Sequence, residues 1–174
     1  IGERPPADER GPDFLPALDD IGQPITATVT SDQYQAASFV LWTDKAQKNV
    51  TVNVSALKTN GSSLPASTVD VHWVKCWYQS GVDDIIREGN FLVPELLLKN
   101  PDLVKVDLIN QKNILLPPQG KPVAGSMWGY PGDAATLQPL DEAAAKTATQ
   151  VWLTIHVPKG TAPGTYHGFV QVQS

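Results

Sequence analysis

Alternation of apolar and polar residues is the dominant pattern along the chain. At 149–173 two such runs flank a break rich in proline and glycine: Val151, Leu153, Ile155 and Val157 before it, and Tyr166, Gly168, Val170 and Val172 after it. A period of two on both sides of turn residues predicts a hairpin. Its first run should stop near Val157, because Pro158 cannot donate to a ladder, and its second should start near Thr165, after Pro163 and Gly164. The most regular run lies at 49–57, where Val50, Val52 and Val54 alternate with Thr51, Asn53 and Ser55. It predicts a strand with one wet face. A long strand is predicted at 69–79, with Val69, Val71, Trp73, Lys75 and Trp77 on one face and Asp70, His72, Val74, Cys76 and Tyr78 on the other. At 35–43, Phe39 and Leu41 oppose Val40 and Trp42, as in a strand buried on both faces. Shorter strands are predicted at 24–30 and 103–108.

Breakers divide these runs. Asn60-Gly61 centres a turn at 58–63. The stretch 81–98 is read as short helices: Asp83 or Asp84 caps one turn, and 94–98 forms another with Pro94 at its first position. The stretch 114–138 is rich in loops, and 142–146 favours a single helical turn. Residues 1–23, proline-rich and charged, read as an extended arm or linker, leaving 24–174 as the folded domain. No internal repeat is present. The whole predicts an all-β chain: an immunoglobulin-like or jelly-roll β-sandwich of about seven or eight strands, with a long loop insertion containing short helices.

Composition supports this class, since 15 prolines and 13 glycines in 174 residues leave little room for uninterrupted helices. A net charge of -5, with the 13 Lys and Arg scattered, argues against nucleic acid as a partner. The single cysteine, Cys76, excludes an internal disulfide and multi-cysteine metal sites. Its place in a strand predicts a buried thiol that acts as a small hydrophobe. No apolar run is long enough for a membrane span. Ile1 is not an initiator Met, which suggests a processed or truncated N-terminus. Asn49, Asn53 and Asn60 begin glycosylation sequons, although strands rich in Asn and Thr generate such triplets by chance.

Candidate chemistry is sparse. A glycosidase needs two carboxylates facing each other across a sugar, whereas Asp83-Asp84, Glu95 and Asp141-Glu142 read as solvated charges, caps or first-turn residues. His72, His156 and His167 fall in three separate strands without ligand spacing. No catalytic residue, metal site or cofactor is therefore expected. The aromatics are more informative, because flat rings can stack on the apolar faces of sugars. Trp42 and Trp73 sit in strands as core residues. Trp128 and Tyr130, in a glycine-rich loop, together with Trp77, Tyr78 and Trp152, are the candidates for a carbohydrate platform or for a seam with a neighbouring domain.

One combination of segments resembles a known domain type. It consists of Gln35-Ala36-Ala37-Ser38-Phe39-Val40-Leu41, the alternating valine strand, Ser67-Thr68-Val69-Asp70-Val71 leading to Trp77-Tyr78, and a closing W-x-T-x-x-V-P (Trp152 to Pro158) followed by P-G-T-Y-x-G (Pro163 to Gly168). This resembles the N-terminal β-sandwich of large bacterial glycoside-hydrolase-like proteins related to β-N-acetylgalactosaminidases, over most of residues 25–173. In such proteins the sandwich precedes a (β/α)8 barrel that carries the catalytic carboxylates. The resemblance thus implies a secreted, extracellular or periplasmic accessory domain, not itself an enzyme. Its expected partners are glycan and a following catalytic domain. A competing expectation is a structural subunit of an extracellular assembly that grips its neighbours through the 1–23 arm and its strand edges.

Overall fold

The computed structural model describes residues 21–80, 89–116 and 132–174. Eleven strands occur among them: β1 (Gln33–Leu41), β2 (Gln47–Val54), β3 (Leu57–Thr59), β4 (Ser62–Leu64), β5 (Val69–Ser80), β6 (Asn90–Leu98), β7 (Val104–Asp107), β8 (Lys112–Leu115), β9 (Leu140–Ala143), β10 (Thr149–Val157) and β11 (Val170–Gln173). Single 3-10 turns at Ala66–Thr68 and Pro101–Leu103 lead into β5 and β7. Two sheets make the body of an all-β sandwich, one of four strands in the order β1-β10-β5-β6 and one of three in the order β11-β2-β9. Hairpins β3–β4 and β7–β8 are attached to it.

The core lies where alternation places apolar side chains between the sheets. In the larger sheet the register aligns Phe39 with Val151 and Trp73, and Ala37 with Leu153 and Val71. In the smaller sheet Val52 pairs with Val172, Val54 with Val170, and Val50 with Leu140. Val50, Val52, Val69, Trp73, Ala143, Val151 and Leu153 form one buried cluster, with Phe39, Leu41 and Ile155 packed against it. Trp73 is its largest member, 2% exposed, and its indole N–H donates to the Gln138 carbonyl at 2.9 Å, so the ring is buried without an unpaired polar atom. A smaller cluster of Leu98, Leu103 and Val104 seats β7 against β6.

Several expectations are corrected. The runs at 149–157 and 170–173 are both strands, but they do not form a hairpin: β10 lies between β1 and β5 in one sheet, and β11 pairs with β2 in the other. Alternation specifies a strand and its buried face but not its partner, and the connection through 158–169 crosses from one sheet to the other. The second strand also begins later than Thr165, at Val170. Residues 94–98 are not a helical turn. They belong to β6, where an irregularity beside Glu95 shifts the register between Lys75 and Cys76. Because β6 is a terminal strand of its sheet with a bulge at that place, the missing N–H of Pro94 is tolerated.

Residues 142–146 likewise give strand and turn instead of helix: β9 pairs with β2 and buries Ala143, and tertiary pairing overrides a propensity too short to nucleate a helix. The predicted loop at 114–138 opens inside a strand, since residues 114 and 115 belong to β8. No strand forms at 24–30, where all but Val29 are exposed. Only one face of β1 is covered, since Val40 is 55% exposed. Cys76 is exposed instead of buried. Asp83, Asp84 and nearly all of the 1–23 arm lie outside the described residues.

Candidate functional site

Trp128 and Tyr130 also lie outside the described residues. The other aromatic candidates do not converge. Trp77 and Tyr78 are adjacent on β5 and so point to opposite faces. The Trp77 ring is half-buried and its indole nitrogen is enclosed without a partner among the described residues, which suits a packed ring more than an open platform. Tyr78 is held through its backbone: its N–H donates to Asn113 Oδ1 at 2.8 Å, and Asn113 Nδ2 donates to its carbonyl at 2.6 Å. One side-chain amide from β8 thereby imitates a neighbouring strand. Trp152 lies on the outward face of the larger sheet, aligned between Ser38 and His72. On that face the Tyr34 ring stacks on His156 with centroids 4.3 Å apart, and Gln150 donates to Ser38 Oγ at 3.1 Å. Tyr78 is on the same face as Trp152, but six residues of strand separate it from His72, roughly 20 Å.

The carboxylates have local structural roles. Asp70 pairs with Lys99 at 2.9 Å, and its other oxygen is 3.8 Å from His72 Nε2. Asp133 accepts from the backbone N–H groups of Lys99 and Asn100, at 2.6 and 2.9 Å. Glu142 pairs with Lys48 across β9 and β2, and Glu95 accepts from Gln79. Asp107 closes the β7–β8 turn: the Asn110 side chain and the N–H groups of Asn110 and Ile109 bond to it, and these bonds, the Asn110 amide first, hold its carboxyl below the usual aspartate value. Among the described residues no three His, Cys, Asp or Glu side chains gather as a metal site.

Two groups beside the β5–β6 irregularity are shifted by their surroundings. Burial lowers the Lys75 ammonium from its ordinary value, the nearby Asp102 charge opposes that shift, and the ammonium donates to the Pro101 carbonyl. Although Cys76 is exposed as a residue, partial burial of its sulfur pushes the thiol up, away from thiolate character.

A polar depression among the described residues, which no aromatic candidate anticipates, has a volume of about 430 Å³ and is lined by Lys58, Thr59, Asn60, Thr165 and His167. Two sequence signals build it. Asn60-Gly61 turns β3 into β4, with only Gly61 at positive φ (91°). The Pro163–Gly168 motif runs alongside this hairpin, where His167 and Lys58 exchange both backbone hydrogen bonds at 2.8 Å. Tyr166 Oη donates to the Ala162 carbonyl at 3.0 Å and so ties the motif back on itself. Gly168 permits the approach: a Cβ there would come within 2.6 Å of Leu57 Cδ2 and 3.2 Å of the Ala56 carbonyl.

No family model and no curated protein matches the chain. The sandwich is similar to part of a larger glycoside hydrolase. That protein is a family 123 glycoside hydrolase from Clostridium perfringens, analysed for glycolipid glycan hydrolysis, and the likeness has a TM-score of 0.52 at 15% sequence identity. It covers 82% of this chain but 19% of the hydrolase, so the chain spans about a fifth of that protein's length. At this identity the likeness shows the fold alone, an all-β sandwich.

Proposed function

We propose that the chain is a non-catalytic accessory β-sandwich of a carbohydrate-active, glycoside-hydrolase-like protein, acting outside the cytoplasm beside a catalytic domain and contacting glycan. The observation that carries this reading is the lopsided coverage, in which a sandwich filling most of this chain matches a small share of a large glycoside hydrolase. The local bonding of the carboxylates agrees with it, because Asp70, Glu95, Asp133 and Glu142 are each engaged in holding strands or turns together, Asp70 and Asp133 both on Lys99. Of the aromatic candidates, Trp152 on the outward sheet face is the ring that this reading favours for sugar contact.

The test is a chromogenic assay of the chain alone on a panel of nitrophenyl glycosides that includes N-acetyl-β-galactosaminide. No release above background is expected. Turnover by the purified chain, abolished by Asp70→Asn or Glu142→Gln, would make it an enzyme and overturn the reading.

A further inference from the structure

The pocket between hairpin β3–β4 and residues 165–167 combines three properties. Its one fixed charge is cationic: Lys58 Nζ meets no carboxylate among the described residues, in a chain of net charge -5. Its remaining lining is made of groups that exchange hydrogen bonds with hydroxyls, namely the Thr59 and Thr165 hydroxyls, the Asn60 amide and the His167 imidazole. Its walls are tied together, because the paired Lys58 and His167 backbone bonds and the close approach at Gly168 fix the two segments before any ligand arrives. The depression, about 430 Å³, is open to solvent, with Lys58, Asn60, Thr165 and His167 all exposed.

We propose that this pocket binds an acidic sugar residue, a polyhydroxylated ring carrying a carboxylate or sulfate, with Lys58 facing the anion and Thr59, Asn60, Thr165 and His167 bonding to ring hydroxyls. An ammonium with no internal partner favours an anionic group, and the density of hydroxyl, amide and imidazole groups favours a polyol over a bare anion. The proposal rests on the carbohydrate-related reading above and adds the class of sugar and the place it binds.

Calorimetry on the folded chain tests it with four probes: 3′-sialyllactose, 3′-O-sulfated lactose, lactose and inorganic sulfate. Both acidic sugars should bind at least roughly tenfold more tightly than lactose or sulfate alone, with affinity falling as salt rises. Lys58→Gln should abolish that preference. Lys159→Gln, an exposed lysine outside the pocket, should preserve it. The Lys58 side chain is exposed, so its replacement should keep the melting temperature, which is checked alongside. Equal binding of lactose, equally tight binding of sulfate alone, an acidic-sugar affinity indifferent to Lys58→Gln, or no binding of either acidic sugar would each overturn the proposal. None of these outcomes bears on the nitrophenyl glycoside assay, so the accessory-domain reading stands or falls separately.

Discussion

Single residues decide how closely segments meet. Gly168 is an example: its backbone is not in the left-handed region, yet a methyl group there has no room against Leu57 and the Ala56 carbonyl. Gly168→Ala should therefore destabilise the fold by about 1–3 kcal/mol through overpacking, read as a lower midpoint in urea unfolding. An unchanged midpoint would mean that the Leu57 side chain moves aside freely. Reading such a glycine from sequence is difficult. The P-G-T-Y-x-G pattern marks the position as special, but the atom that excludes a side chain belongs to residue 57, more than a hundred positions upstream. Trp73 was legible as a core residue, since Val69 and Val71 precede it on the same face of the strand. The half-burial of Trp77 was not, because equal alternation continues past the bulge whether or not a second layer covers it.

At the level of elements, the alternating runs on β2, β5 and β10 predicted strands, and the structure contains all three. Errors cluster where propensity and pairing conflict. Residues 94–98 and 142–146 have helical composition, but the first pairs with β5 and the second begins in a strand paired with β2, and the ladder outweighs a preference worth only tenths of a kcal/mol per residue. Partner choice was the other invisible quantity. Nothing local in 149–173 tells β11 to join β2 and not β10. The β7–β8 hairpin gives a prediction at this scale. Its turn is closed by Asp107, whose folded-state carboxyl lies below its ordinary value, so the contribution to stability is full above the unfolded pKa and is lost as pH falls through the folded one. Amide exchange of Ile109 and Asn110, corrected for the intrinsic pH dependence, should lose protection on acidification through that range. In Asp107→Asn the pH dependence should disappear. The same pH response in the variant would assign it to another group.

The molecule as a whole is joined by pairs distant in sequence. β10 supplies the only described partner of β1, and β11 one of the two partners of β2, so the last seventeen residues contribute an outer strand of one sheet and the crossing between sheets. A chain stopped after Val157 should retain β10 but leave one side of β2 open, with Val52 and Val54 unpaired. We expect it to unfold without a cooperative transition and to aggregate, seen as high-mass species in size-exclusion chromatography. A monomer with an unchanged melting curve would show that β11 is dispensable. The same arrangement sets the timing of synthesis. Hairpins β3–β4, β5–β6 and β7–β8 can form as they leave the ribosome, but Ser38 must wait for Gln150, 112 positions later. At ordinary rates of translation that delay is on the order of ten seconds. Throughout it β1 and β2 are nascent strands without their mates, and the yield of folded protein depends on how well they stay apart from other chains until residues 140–173 have been made.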